Sequence, residues 1–139
     1  MKNFPLFLLT SAIFLVILCA GGRQAEAYCV YNETDYSLEV RGEDCHRCYS
    51  ATLGPMSHGC CPGNKSGCRG KTWIRVGDRS WGSLMYLGKQ VTAHGWVKVY
   101  GGKRIGNLDP RLDPDSFSGE VYNDEGQRIW WGRLHYNRY

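Results

Sequence analysis

The chain has 139 residues, with 17 Lys and Arg against 13 Asp and Glu, and its formal net charge is +4. This mildly basic balance is far from the strong positive charge of typical nucleic-acid-binding domains, so we expect no nucleic-acid partner. The length suits a single domain that buries a hydrophobic core of its own.

The first 27 residues are typical of a secretion signal. Lys2 provides a positive start, residues 5–20 form an almost uninterrupted apolar run, and an Ala-Glu-Ala sequence ending at Ala27 offers small residues for cleavage. The apolar run is shorter than the roughly 20 residues that a membrane-spanning helix needs. We therefore predict cleavage after Ala27 and no stable membrane insertion. The secreted extracellular domain would comprise residues 28–139, with 15 basic and 12 acidic residues and a net charge of +3.

The seven cysteines divide between these two parts of the chain. Cys19 lies in the signal segment, and an even set of six remains in the expected secreted domain: Cys29, Cys45, Cys48, Cys60, Cys61 and Cys68. An even cysteine set behind a secretion signal predicts disulfide bonds formed in an oxidising compartment. Six cysteines allow 15 pairings, and excluding the strained bond between adjacent Cys60 and Cys61 leaves 12 open.

A zinc site and a redox centre are two alternative uses of this cysteine-rich region. His46 and His58 accompany the cysteines, and Cys45 and Cys48 form a CxxC motif. Structural zinc sites usually show two well-separated ligand pairs in a reducing compartment. Thioredoxin-like chemistry needs the CxxC at the start of a helix, and no helical pattern follows it here. We therefore expect no bound metal and no cofactor.

Alternation of apolar and polar residues predicts β-strands along the rest of the chain. It is clear over residues 36–41, 72–76 and 91–100, where glycines and turn segments separate the runs. No long window shows the spacing of an amphipathic helix. The expected fold is all-β, a single disulfide-stapled antiparallel β-sandwich or small barrel.

Two kinds of short motif fall in predicted loops or at strand ends. Asn32 and Asn64 each begin an N-glycosylation acceptor sequence. Asp109, Asp113 and Asp115 could supply oxygen ligands to calcium, but Asp-Pro sequences are first of all turn formers and the EF-hand pattern is absent. We therefore predict glycosylation as a candidate modification and no calcium site.

The C-terminal segment predicts a β-hairpin. Residues 118–123 and 128–136 flank a turn at 124–127, and a two- or four-residue loop would pair residues whose numbers sum to 251, such as Val121 with Trp130. One face would then be apolar and point inward: Phe117, Val121, Trp130 and Leu134. The other would carry polar and aromatic groups: Glu120, Tyr122, Trp131, Arg133 and His135. A three-residue loop would shift the pairing by one and mix the two faces.

Tryptophans beside cations recur on the expected outer sides of three strands. The residues of this predicted binding surface are Trp73, Arg75, Trp96, Lys98, Tyr100, Trp131 and Arg133. Large aromatic side chains on a solvent-facing sheet can stack on sugar rings, while neighbouring cations bind hydroxyl groups. The pattern predicts recognition of an extracellular carbohydrate or protein. Two structural alternatives are cation–π pairs between strands and burial of these residues under a second sheet.

Catalytic motifs are scarce in this chain. It has no GxSxG, no HExxH and no Gly-rich phosphate loop. The alternative function is a secreted hydrolase, similar to a ribonuclease or glycosidase, that uses His135 and Glu120 as acid and base. Glu120 and Arg133 are more simply explained as a cross-strand ion pair, so binding is expected and catalysis is not.

Three segments carry a resemblance to a known group of proteins. They are YCVYN at 28–32, LGP at 53–55 leading to Cys60, Cys61 and Cys68, and HGWVKVYG at 94–101. In these segments the chain resembles small, largely uncharacterised secreted cysteine-rich proteins of filamentous fungi. The resemblance covers about residues 28–101 and implies secretion and a disulfide-bonded β-sandwich, but no catalytic residue. The expected function is that of a secreted, non-enzymatic and effector-like binding protein, and the sequence sets no oligomeric state.

Overall fold

The computed structural model describes residues 26–43, 49–78, 81, 84–106 and 111–136. Within these ranges the chain forms nine β-strands and two short 3₁₀ turns, without an α-helix. The strands make two sheets that pack together as a sandwich and do not close into a barrel. The predicted all-β sandwich is confirmed. Cys19, Cys45, His46, Cys48 and Asp109 lie outside the described residues, as does most of the predicted signal segment.

The larger sheet has five strands in the order β4-β1-β7-β8-β9. In chain order they are β1 (Glu26–Glu33), β4 (Ser57–Pro62), β7 (Trp96–Gly101), β8 (Phe117–Tyr122) and β9 (Arg128–Arg133). Neighbours are antiparallel except β1 and β7, which run parallel. The expectation of an antiparallel sheet therefore needs one correction. β1 and β7 are far apart in sequence, and the chain between them crosses to the other sheet, which allows a parallel pair.

The smaller sheet has four strands in the order β3-β2-β5-β6. They are β2 (Leu38–Gly42), β3 (Ser50–Leu53), β5 (Ile74–Gly77) and β6 (Met85–Tyr86), all antiparallel to their neighbours. The 3₁₀ turns cover Ser66–Cys68 and Pro114–Ser116. Alternation along the strands turns one apolar side of each sheet toward the other sheet, which forms the core. The largest fully buried side chains include Val30, Leu38, Val40, Ile74, Val76, Val97, Val99 and Phe117.

Two disulfide bonds hold the side of the larger sheet formed by β1 and β4. Cys29 and Cys60 face each other across these strands with Cα atoms 4.0 Å apart, and Cys61 bonds to Cys68 with Cα atoms 5.7 Å apart. The adjacent Cys60 and Cys61 bond to different partners, in agreement with the sequence argument. These bonds fit an oxidising, extracellular compartment. They also commit Cys60, Cys61 and Cys68, three cysteines of the zinc alternative, so none of these three is a thiolate ligand.

The start of β1 includes the end of the predicted signal. Ala27 is buried, and its carbonyl oxygen accepts a hydrogen bond from the backbone N–H of His94. Cleavage after Ala27 stays a prediction, and it would leave the strand beginning at Tyr28. Across the described ranges, no helix has the length and apolar character that crossing a membrane requires.

The predicted strand over residues 91–100 is interrupted. β7 begins only at Trp96, while Val91 forms an isolated bridge with Thr72. Between them the backbone turns, and His94 adopts a left-handed conformation with φ of 62°. An uninterrupted strand over residues 91–100 would put His94 on the same face as Trp96, but His94 lies in this turn and not on β7. A turn residue at positive φ cannot continue an extended strand.

The C-terminal hairpin has the predicted central pairing. Val121 lies opposite Trp130, and Glu120 lies opposite Trp131. Phe117, Val121 and Leu134 are buried, and Trp130 is half-buried against the core. The inward-facing set is therefore confirmed.

The turn of this hairpin differs from the prediction. The N–H of Asn123 donates to the carbonyl of Gln127 (3.0 Å), which encloses a three-residue loop with Gly126 at φ of 79°. The predicted two- or four-residue loop is wrong. A β-bulge absorbs the resulting shift, so that Arg128 pairs with Tyr122 while the pairs further along keep the predicted register.

Candidate functional site

The predicted binding surface divides between the two sheets. Arg75 lies on β5 of the smaller sheet and Trp73 immediately precedes that strand, whereas the other five residues lie on the larger sheet: Trp96, Lys98, Tyr100, Trp131 and Arg133. Since the sheets pack together through their apolar sides, these two groups face opposite sides of the sandwich. They cannot form one continuous site.

On the smaller sheet, Arg75 is held by its own neighbours. Its guanidinium donates to the Glu43 carboxylate (2.7 Å) and to the Leu84 carbonyl (3.2 Å), and it lies 5.0 Å from the centre of the Tyr86 ring. The Tyr86 hydroxyl donates to the same carboxylate (2.7 Å), and Trp73 packs edge-on against Tyr86. This arrangement matches the structural alternative of cation–π packing between strands.

The larger sheet carries a broad aromatic and charged outer surface, which we call the aromatic face. It comprises Tyr31, His58, Trp96, Lys98, Tyr100, Glu120, Tyr122, Arg128, Trp131 and Arg133. The strand register places these side chains in rows across the sheet. The central row runs from His58 through Tyr31, Lys98 and Glu120 to Trp131. Because alternate residues of a strand share one side, the outer residues of neighbouring rows meet on this face.

Some of the aromatic rings on this face stack on one another. Trp96 and Tyr122 lie nearly parallel with ring centres 5.0 Å apart, and Tyr31 stacks on His58 at 5.1 Å. The Lys98 ammonium lies 5.8 Å from the centre of the Tyr122 ring. Cross-strand stacking therefore explains part of the pattern without a ligand, and it makes the platform rigid.

Glu120 is the polar centre of the aromatic face. Its Oε2 atom accepts hydrogen bonds from the hydroxyls of Tyr100 and Tyr122, each at 2.8 Å. Its Oε1 atom accepts one from Arg128 at 2.6 Å, an ion pair in which half of the Arg128 side chain is exposed. The predicted partner was Arg133, and the bulge gives the reason for the difference, since it turns Arg128 onto the outer face next to Glu120.

These hydrogen bonds fix the protonation of the cluster. Burial alone would raise the pKa of the Glu120 carboxyl, but hydrogen bonds from Arg128, Tyr122 and Tyr100 outweigh it and the pKa is lowered. Burial, followed by the hydrogen bond to Glu120, raises the pKa of Tyr100. The hydrogen bond to Glu120 is the first cause of the raised pKa of Tyr122. At neutral pH the carboxylate is charged and both hydroxyls keep their protons.

Among the tryptophan and tyrosine rings of this face, Trp131 is the one exposed to solvent. It is 71% exposed, on a strand whose backbone is paired with β8. Arg133, two residues further along the same side of the strand, is also exposed and lines a cleft with Ser118, its partner on β8. An exposed indole with a charged acceptor across the strand pair and a charged donor along the strand can hold a ring that carries polar groups.

The structure places the two residues of the hydrolase alternative in separate surroundings. His135 pairs through its backbone with Tyr86 in the smaller sheet, and its ring packs edge-on against Trp130. Glu120 lies opposite Trp131. Trp131 precedes His135 by four residues, a distance of roughly 13 Å along an extended strand. The hydrogen-bond partners of the Glu120 carboxylate are Tyr100, Tyr122 and Arg128, so His135 does not share a proton with it.

The two predicted glycosylation sites differ sharply. Asn32 is 1% exposed, and its side-chain nitrogen donates to the carbonyls of Tyr36, Leu53 and Gly54 at 2.7–3.2 Å. A glycan on that nitrogen does not fit the folded chain, so the motif at Asn32 is structural. Asn64 lies exposed in the turn after β4 and stays a prediction.

The two described aspartates of the calcium alternative belong to a turn. Asp113 caps the second 3₁₀ turn, and its Oδ1 atom accepts a hydrogen bond from the backbone N–H of Asp115 (3.0 Å). This is the local turn chemistry that the Asp-Pro sequence favours.

Comparison of the chain with models of protein families, with curated protein sequences and with solved structures finds no match. Function therefore has to be inferred from the aromatic face itself. Sequence reasoning missed Arg128 on this face because the bulge reverses its side. Gly126 carried the relevant signal, since a glycine at the end of a short turn favours a three-residue loop with that residue at positive φ.

Proposed function

We propose that this is a secreted, non-enzymatic protein that binds an extracellular carbohydrate through the aromatic face. The observation that carries the proposal is Trp131, 71% exposed on β9, with Glu120 opposite it on β8 and Arg133 two residues further along its own strand. A sugar ring stacked on the indole would have a charged acceptor within reach across the strand pair and a charged donor within reach along the strand. Trp73 and Arg75 are not included, because they serve the packing of the smaller sheet.

The biological setting proposed is outside the cell, after removal of the signal segment. The resemblance to small secreted fungal proteins supports an effector-like role, with contact to a cell wall or host glycan. A hydrolase is not proposed, since Glu120 is held as a charged carboxylate and His135 does not contact it. A raised carboxyl pKa would suit a general acid near neutral pH, and the shift here has the opposite direction.

A glycan array followed by calorimetric titration with the best oligosaccharide tests the proposal. We expect Trp131→Ala to weaken binding about tenfold or more, because truncating an exposed aromatic anchor removes most of its contact. That loss corresponds to about 1.4 kcal/mol. Trp73→Ala is the matched control, since it removes a tryptophan from the opposite side of the sandwich. Thermal unfolding checks that both variants fold.

Intrinsic fluorescence gives a second measurement on the same samples. The oligosaccharide should shield Trp131 from a soluble quencher in the wild type, and this protection should disappear in Trp131→Ala. Equal affinity for wild type and Trp131→Ala, or no binding to any glycan on the array, would contradict the proposal.

A further inference from the structure

A cleft of about 600 Å³ opens where the aromatic face ends. It lies beside β8 and β9, and its polar lining consists of Lys103, Asp113, Asp115, Ser116, Ser118 and Arg133. Its volume falls in the range of sites that take small ligands. Trp131, which the proposed function uses, lies on the same side of β9 as Arg133, about 7 Å away along the strand.

The walls of the cleft are fixed by hydrogen bonds between two segments. The backbone N–H of Lys103 donates to the Ser116 hydroxyl (2.9 Å), which in turn donates to the Asp113 carbonyl (2.6 Å). The N–H of Asp113 donates back to the Lys103 carbonyl (2.8 Å). Gly102, with φ of 97°, packs so closely on Phe117 that a Cβ atom there would lie 2.8 Å from the ring. The site is therefore built in advance of any ligand.

The cleft lining also has donor and acceptor groups that take no part in the hydrogen bonds between its walls. Within the described part of the chain, the Arg133 guanidinium and the Lys103 ammonium have no carboxylate partner. Among the described residues, the Asp115 carboxylate and the Ser118 hydroxyl have no hydrogen-bond partner. Asp113 accepts a hydrogen bond, from the N–H of Asp115, with one of its two carboxylate oxygens. Two cations and two carboxylates cancel in net charge.

This balance selects among carbohydrate classes. An acidic sugar would gain from the cations and be repelled by the aspartates, and a cationic amino sugar would experience the reverse. A neutral sugar has neighbouring hydroxyls, each of which can donate to a carboxylate and accept from a guanidinium or ammonium. We infer that the cleft binds a neutral hexose unit of the same glycan whose adjoining unit stacks on Trp131. This inference rests on the proposed function.

The test compares neutral, uronic-acid and amino-sugar oligosaccharides of equal length by calorimetric titration. We expect the neutral series to bind most tightly, with Arg133→Gln and Asp115→Asn each weakening it about tenfold. Asp124→Asn, an exposed aspartate at the far end of the hairpin, is the matched control and should leave affinity unchanged.

Each other outcome overturns the inference in a recognisable way. Tightest binding of uronic acids, lost in Arg133→Gln and improved in Asp115→Asn, would make the cleft an anion site. Tightest binding of amino sugars, lost only in Asp115→Asn, would make it a cation site. Binding that needs Trp131 but neither cleft residue would overturn the cleft and leave the proposed function standing, whereas no binding of any oligosaccharide would overturn both.

Discussion

At the scale of single residues, Glu120 organises the aromatic face more than it stabilises the fold. Its ion pair with Arg128 is half-exposed, and exposed ion pairs contribute little free energy because water screens them. The hydroxyls of Tyr100 and Tyr122 donate to one of its oxygens and so fix the orientation of the carboxylate. The carboxylate therefore serves chiefly to hold Tyr100 and Tyr122 in place beside Trp131.

The lowered pKa of Glu120 predicts a pH effect with a definite sign. A carboxyl whose pKa is lower in the folded chain stabilises it above the ordinary carboxyl pKa of about 4.3, and this stabilisation is lost as the pH falls through the folded value. We expect wild type to lose more unfolding free energy than Glu120→Gln between neutral pH and about pH 3. Urea unfolding across this range measures the difference, with Glu125→Gln in the exposed turn as control. Parallel pH profiles for wild type and Glu120→Gln would refute the role given to Glu120.

Asn32 shows the opposite case, a polar residue whose role is entirely structural. Its oxygen accepts from the N–H and hydroxyl of Thr34, at 3.1 and 2.7 Å, while its nitrogen satisfies three carbonyls. Buried polar groups that lose their partner cost about 1–3 kcal/mol each. The side chain thus joins the end of β1 to the β3–β4 turn.

We expect Asn32→Ala to destabilise the protein by roughly 3 kcal/mol or more, because it removes five hydrogen bonds, including those that the buried N–H and hydroxyl of Thr34 donate. Asn64→Ala, in an exposed turn, should change stability by less than about 0.5 kcal/mol. Urea unfolding compares the two variants. Peptide mass spectrometry of protein secreted from a eukaryotic host should find no glycan on Asn32, and a folded species glycosylated there would disprove this assignment.

At the scale of elements, the C-terminal hairpin shows how far alternation predicts a sheet. Apolar spacing was enough to select the inward residues of β8 and β9, because burial favours one register strongly. It could not give the loop length, which depends on the Asn123 side chain accepting from the N–H groups of Glu125 and Gln127. Bulges leave no mark in the apolar pattern, and for this reason alternation did not include Arg128 in the outer set.

The three-residue turn of this hairpin requires a glycine at position 126. At φ of 79° a residue with a side chain is strained, and a Cβ atom there would also lie 3.3 Å from Trp96. We expect Gly126→Ala to lower the free energy of unfolding by about 1–2 kcal/mol. Gly106→Ala, where the added atom meets open space at an ordinary φ, is the control. Equal stability of the two variants in urea would show that the turn can readily adopt another form.

At the scale of the molecule, the predicted binding surface depends on the order of strands in each sheet, which the local sequence does not contain. Trp73 and Trp96 both precede a cation by two residues, yet they lie on opposite sides of the sandwich. Their separation follows from the parallel pairing of β1 with β7, a contact between distant parts of the chain. Alternation predicts which residues share a strand face, but only the long-range pairing decides which strands share a sheet.

The strand order of the larger sheet also predicts which strands are most stable against local unfolding. The described disulfides lie at β1 and β4, whereas β8 is held without one, by its ladders to β7 and β9, by the core side chains Phe117 and Val121 and by the contacts of Glu120 and Tyr122. If packing and strand pairing dominate, hydrogen-bonded amides of the interior strand β8 should exchange with deuterium more slowly than those of the edge strand β4, although β4 carries Cys60 and Cys61. β7, which is paired on both sides, serves as the internal reference for full protection. Residue-resolved exchange measured by NMR decides the matter, and slower exchange in β4 than in β8 would show that the disulfide bonds set the most stable part of the fold.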